Sequence, residues 1–242
     1  DLKLPRAGHR TPHLIYLNMK NFKTKVSKYN KKFDNKLSFT VPNEVIFRLL
    51  VNYKFNFYGK NCLDIGIGNG DNLLEFKRRG ANIYGIDIRK NIINQFVKNN
   101  KLNKQNFYIC DLNYNFPKIN KKMNYINCKD TLCYIELKKQ YDLFKEIYNL
   151  LNDNGLFLFQ YHQTDLIVKN KNLFSYNLIK NQKKINFYMK QNNPAPFLKN
   201  NHILRLINSQ KFKILQSIFD INTHIKKSKI IIINRYFLLK KE

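Results

Sequence analysis

Acidic residues are scarce in this chain. Sixteen Asp and Glu stand against 44 Lys and Arg in 242 residues, leaving a formal charge of +28. Cysteine is scarcer: Cys62, Cys110, Cys128 and Cys133 are the four present. None of them forms a CxxC pair and no histidine cluster accompanies them. That favours buried, reduced thiols over zinc or a disulfide, and fits a cytoplasmic setting. Long apolar runs are missing, since none approaches the ~18 residues of a membrane span. No apolar segment with a small-residue cleavage site opens the sequence as a signal peptide would, and no internal repeat is visible. What is present is a chain with 43% hydrophobic residues, long enough to bury a sizeable core in one domain with an extension.

The positive charge has two readings. It suggests a polyanion partner. Yet Lys, Asn, Ile, Phe and Tyr, all abundant here, share A/T-rich codons, so mutational bias supplies lysine without selection for binding. Codon bias explains the shortage of Asp and Glu less well. The lysines are scattered rather than gathered into a stripe, which favours the compositional reading. Residues 1–18, DLKLPRAGHRTPHLIYLN, differ in style from the remainder of the chain, with Pro5, Pro12, His9 and His13 among types scarce afterwards. They are expected to be a leader foreign to the rest, with Met19 the natural start; a genuine N-terminal arm is the alternative.

From Lys60 onward, apolar strands alternate with amphipathic helices. Strands are expected at 61–65, 82–86, 106–110, 124–128 and 156–160, and helices at 71–79, 91–100 and 137–151. The last helix closes with Asp153-Asn154-Gly155. This alternation predicts a parallel sheet covered on both faces. The ending differs: a helix over 197–209, a strand over 212–221, a loop, and a strand over 230–239. With no helix between them these two strands must pair antiparallel. Residues 24–53 should form helical cover before the first strand, within an N-terminal region of 19–59. Residues 165–196 are long, polar and weakly periodic, and are expected to form a substrate lid.

The stretch CLDIGIGNGDN (62–72) carries the chemistry. Gly66, Gly68 and Gly70 lie between a strand and a helix, an arrangement that lets a ligand approach backbone N–H groups. A dinucleotide would need G-x-G-x-x-G, and the third glycine position is Asp71, so that pattern fails. Asp64 is a poor neighbour for pyrophosphate and a good one for a cation. S-adenosylmethionine is such a ligand: it carries an ammonium and a sulfonium and no phosphate. Asp64 can take the ammonium, directly or through water. A carboxylate for the ribose hydroxyls should end the next strand, where Asp87 stands, 87 − 64 = 23 residues on. A polar residue beside the adenine should end the third strand, where Asp111 stands.

LDIGIGNG, YGIDI, ICDL and NCKDTLCYIEL, with a later helix running into KFKIL and RYFLL, resemble class I S-adenosylmethionine-dependent methyltransferases over residues 60–239. The resemblance implies an α/β, Rossmann-like, seven-stranded and mostly parallel sheet with helices on both faces and an antiparallel C-terminal strand. It implies that Asp64 and the Gly66, Gly68 and Gly70 turn hold the methionine part and that Asp87, with Ile88 beside it, holds the ribose. Asp111 and Leu112 would hold the adenine, and Lys129 would complete the cofactor set. Ile67 departs from the small residue common there; facing a backbone-lined turn, it is expected to matter little. SFTVPNEVIFRLL (38–50) resembles the same region of bacterial small-molecule and surface-sugar methyltransferases.

In this family the methyl acceptor sits beyond the fourth and fifth strands. The stretch NCKDTLCYI lacks the N/D-P-P-Y/F of amino-directed nucleic-acid enzymes, and the paired Pro-Cys and Thr-Cys motifs of RNA cytosine-C5 enzymes are also missing. Ribose or guanine methylation is not excluded by those absences. An oxygen acceptor needs a base, and His162, just past the fifth strand, is the candidate; the competing reading is a histidine merely bonded at a strand end. Tyr134 is a candidate to shape the methyl pocket and Asp130 to orient the acceptor, with no metal implied. Gln160 and Gln163 offer amides to hydroxyl groups, while His202 and His224 read as surface or core. The expected partner is a small-molecule or glycan acceptor, with RNA as the alternative and a non-catalytic binding protein as a weaker third.

Overall fold

The computed structural model describes residues 41–163, 198–226 and 228–242, with only the backbone course given over 221–233. The expected leader, most of the N-terminal cover and the expected lid at 165–196 lie outside the described residues, as does the side chain of His224. Helix α1 is Glu44–Asn52, strand β1 Asn61–Ile65, α2 Asp71–Arg78, β2 Asn82–Asp87, α3 Lys90–Asn99 and β3 Phe107–Ile109. Next come β4 Met123–Cys128, α4 Leu137–Leu150, β5 Leu151–His162, α5 Asn200–Asn208, β6 Phe212–Lys226 and β7 Ser228–Lys241. The strands form one sheet in the order β3-β2-β1-β4-β5-β7-β6. Neighbours from β3 through β5 are parallel, and β7 pairs antiparallel with both β5 and β6.

The central strands are apolar on both sides, as burial on both faces requires. On one face Cys62, Tyr125, Leu156, Leu158, Tyr236 and Leu238 meet Val45, Ile46, Leu49 and Leu50 of α1, Leu73 and Phe76 of α2, and Ile93 and Phe96 of α3. On the other, Leu63, Ile126, Phe157, Phe159 and Phe237 meet Leu143, Phe144 and Ile147 of α4 and Ile203, Leu206 and Ile207 of α5. Phe144 stands edge-on to both Phe157 and Phe159, with centroids 5.4 and 5.3 Å away. Helix α1 starts where Asn43 accepts a hydrogen bond from the Ile46 N–H at 3.2 Å, a side-chain cap.

Three local expectations change. Strand β5 begins at Leu151, directly after α4; Asp153-Asn154-Gly155 is a bulge inside it, where the β4 partner shifts from Met123↔Leu151 to Tyr125↔Leu156. The loop expected between 221 and 230 is strand at its described residues: the ladder runs on to Lys226↔Ser228, because cross-strand bonds continue past the end of β5. Ile67 does not face the glycine turn. It is buried in the core, and a Cβ on Gly85 would come within 2.7 Å of its Cγ2, so the two residues are fitted to each other. Of the cysteines, Cys62, Cys128 and Cys133 are buried free thiols, while Cys110 is half-buried just past β3.

Candidate active site

Strand order reverses between β1 and β4, the place where open α/β sheets leave a crevice at their carboxyl ends. On the α1 side of the sheet, alternation turns polar at these ends. Asp64 comes after Cys62, Asn127 after Tyr125, and Gln160 and His162 after Leu158, while Asn234 precedes Tyr236. Register places Asp64 beside Asn127, Asn127 beside Leu158, and His162 beside Asn234. His162 thus lies two pleats beyond the level of Asp64.

Asp64 is 2% exposed. Asn127 Nδ2 donates to its Oδ1 at 2.7 Å, and Tyr125 Oη donates to Asn127 Oδ1 at 3.3 Å. Burial pushes the Asp64 carboxyl up to about 7 from 3.8. The Asn127 bond and the Lys129 charge pull against burial, and Asp87 adds to it. A carboxyl this deep is costly to ionise unless a cation arrives.

The glycine turn is shaped by what it must avoid. Gly66 has φ +79, and a Cβ there would sit 2.0 Å from Thr131 Oγ1, so the loop after β4 closes directly over it. Thr131 Oγ1 in turn lies 3.0 Å from the Ile65 carbonyl. A Cβ on Gly70, φ +83, would enter the Phe96 ring at 1.9 Å. Gly68 differs: φ is +55 but a Cβ would meet nothing within 4 Å. It is the glycine that faces open space, and its N–H donates to Asp87 Oδ2 at 3.2 Å.

Asp87, 5% exposed, also accepts from the Arg89 N–H at 2.9 Å and from Arg89 Nε and Nη2 at 3.1 and 3.2 Å. Arg89 therefore grips the carboxylate expected to hold ribose, a contact the sequence did not reveal. Ile88 next to it is 42% exposed. The Cys110 N–H donates to the Asp87 carbonyl at 3.1 Å, bringing the end of β3 to the end of β2. Asp111 there accepts from Asn113 N and Nδ2 at 3.0 and 3.1 Å, and Leu112 packs against the core. Asn113 Nδ2 reaches the Tyr134 carbonyl at 3.3 Å, tying the loop after β3 to the loop after β4.

Beyond β4, Lys129 forms an ion pair with Asp130. Asp130 has a left-handed φ of +54, and its N–H donates to Gln160 Oε1 at 2.9 Å. Gln160 Nε2 and His162 Nδ1 both converge on Asn234 Oδ1, at 2.8 and 2.7 Å. Asp130 and His162 thus belong to one network, joined through Gln160 and Asn234. Tyr134 ends a short 3-10 turn, Leu132–Tyr134, and is half-buried.

Gln160 does not present the spare amide expected of it. Gln160 is 1% exposed and committed to the network. Gln163 lies on the opposite face, where its Oε1 accepts from Tyr161 Oη at 3.3 Å and Arg235 Nη1 at 3.4 Å. His202 is structural: its Nε2 is 2.8 Å from Oε1 of buried Gln140, whose Nε2 donates to the Leu132 and Ile135 carbonyls. Asn127, Thr131, Arg89 and Asn234 were not singled out from sequence. Period-two alternation after Leu158 is the signal that aligns Gln160 with His162; nothing local marks Asn234 as their partner.

A family model described as "Methyltransferase domain" matches residues 40–213. Among solved structures, a SAM-dependent methyltransferase from Methanosarcina mazei is similar with TM-score 0.59 and 14% identity, covering 84% of this chain and 99% of that one. An N-methyltransferase, NodS, from Bradyrhizobium japonicum WM9 in complex with S-adenosyl-L-homocysteine has TM-score 0.57 and 8% identity, covering 92% and 97%. Magnesium protoporphyrin IX methyltransferase from Synechocystis PCC 6803 with bound SAM has TM-score 0.55 and 14% identity, covering 91% and 84%. A search of curated proteins by sequence found no match.

Proposed function

This chain belongs to the methyltransferase-domain family, as a class I S-adenosylmethionine-dependent enzyme; from that premise we propose that it methylates an oxygen of a small hydroxylated molecule or glycan precursor. The observation that carries the acceptor half is His162, two pleats beyond Asp64 on the same face of the sheet, with its Nδ1 held by the Asn234 amide.

The residues fit the cofactor. Asp64 is a buried carboxyl whose bonded side chain is an amide rather than a cation, which suits it to an ammonium group. Gly68 offers open space beside the turn, and Asp87 and Asp111 stand at the next two strand ends for ribose and adenine. Leu112, Ile88 and Lys129 line the same ends. The four hydrogen bonds to Asp87 already fill about four lone-pair sites of a carboxylate. For Asp87 to hold ribose hydroxyls, Arg89 would have to give up part of its hold on the carboxylate.

When bound, the cofactor supplies a methyl group already activated by its sulfonium charge. The chain's task is then to align the acceptor and receive its proton. Asp130, Tyr134 and the Gln160 network shape the acceptor side. His162 would receive the proton of the acceptor hydroxyl, while the methyl supplied by the cofactor would leave its bonding electrons on sulfur. An amine acceptor, as the name of the B. japonicum neighbour states for that protein, would make the base dispensable. Replacing His162→Ala should cut methyl transfer to a hydroxyl acceptor at least tenfold with cofactor affinity unchanged. Undiminished transfer by that variant would remove the base from the account.

The net charge of +28 favours one rival, an RNA methyltransferase. Submicromolar binding of a defined RNA at physiological salt, with methyl transfer into it, would promote that reading; weak binding lost at moderate salt supports the small-molecule one.

A further inference from the structure

We infer that Asn234, on β7, is the positioning residue that locks His162 in its Nδ1–H tautomer, so that Nε2 carries the lone pair; this rests on His162 being the proton acceptor. The starting point is a group with no choice of role. The backbone N–H of Asp130 can only donate, and it lies 2.9 Å from one end of the Gln160 carboxamide. That end is therefore the oxygen, and the other end is the NH2. The NH2 can only donate, and it lies 2.8 Å from the side chain of Asn234, which must present its oxygen there. The same oxygen stands 2.7 Å from His162 Nδ1. Two lone pairs facing each other at that distance repel, so Nδ1 bears the proton. Gln160 Nε2 and His162 Nδ1 are 3.4 Å apart, the long edge of a triangle in which two donors share one carbonyl. A neutral ring protonated at Nδ1 has its acceptor nitrogen at Nε2.

The relay is rigid because it is buried. Gln160 and Asn234 are 1% and 7% exposed, so reversing either amide would set donor against donor or acceptor against acceptor with little water to compensate. It also crosses the sheet. It runs from the left-handed residue after β4, through β5, to β7, whose antiparallel pairing puts Asn234 opposite His162. An amide oxygen at Nδ1 orients the ring through a neutral group.

Nitrogen NMR on protein carrying labelled histidine tests this without any acceptor, with the His162 signals identified by their loss in His162→Gln. The expected wild-type spectrum has a protonated Nδ1 and a lone-pair Nε2. Asn234→Leu should lose that Nδ1–H signature and move toward the Nε2–H form, and Asn234→Asp, which keeps the acceptor oxygen, should retain it. A wild-type ring in the Nε2–H form overturns the inference, as does a folded Asn234→Leu protein with unchanged tautomer. If Asn234→Leu does not fold, the wild-type and Asn234→Asp spectra still decide. Failure of the base reading shows elsewhere: full methyl transfer by His162→Ala would refute it and leave the tautomer result standing.

Discussion

Asp64 gives the sharpest residue-level consequence. Its carboxyl is raised from 3.8 to about 7 by burial. Between those values the folded chain holds more protons than the unfolded one, so this group's contribution to stability declines as pH rises through the window and is constant above it. Cofactor affinity should run the opposite way. An ammonium ligand favours the ionised carboxylate, so affinity should climb, at most about tenfold per pH unit, until roughly pH 7, and then level. Asp64→Asn removes both effects. Its melting temperature should exceed that of wild type by more at about pH 8 than at about pH 5, with weaker and pH-flat cofactor binding. A wild-type advantage in stability at about pH 8 would contradict the buried-charge account. Asp64, Asp87 and Asp111 were legible in the sequence because each ends an apolar run next to a turn. Asn127 and Asn234 were not, because asparagine is everywhere in this chain and its role here is set by partners 63 and 72 residues away.

At the scale of elements, the glycine turn separates packing from binding. Gly70→Ala must fit a methyl into the Phe96 ring at positive φ and should cost roughly 2–5 kcal/mol of stability. Gly68→Ala meets no neighbour and should cost only the left-handed strain, roughly 1–2 kcal/mol, while weakening cofactor binding. Chemical denaturation beside cofactor titration would show both; equal destabilisation by the two variants would contradict this division. Strand and helix positions were readable from periodicity because each central strand carries apolar residues on both faces and each helix has one apolar stripe. The length of β6 and β7 was not, since β5 pairing ends at His162↔Asn234 while the β6–β7 ladder runs on to Lys226↔Ser228. The exchange of Ile67 for space at Gly85 was also invisible, being a contact between the turn after β1 and strand β2 rather than a property of either.

For the whole molecule, the parallel body and the antiparallel pair at the end were legible in the order of elements along the chain, the seven-strand count came from the family resemblance, and the strand order was read only from the structure. What holds the proposed site together is one polar row crossing that sheet, with the carboxylates proposed to hold cofactor on β1, β2 and past the end of β3 and the His162 network on the β4 loop, β5 and β7. No helix among the described residues is long and apolar enough to cross a membrane. The division of the row into a cofactor half and an acceptor half is tested most directly by calorimetric titration of S-adenosylmethionine into wild-type, Asp87→Ala and His162→Ala proteins. Wild type should bind, Asp87→Ala should lose about 1–3 kcal/mol of binding free energy, and His162→Ala should bind as wild type does. Loss of cofactor affinity in His162→Ala as large as in Asp87→Ala, or tight binding of NAD with none of S-adenosylmethionine, would contradict it.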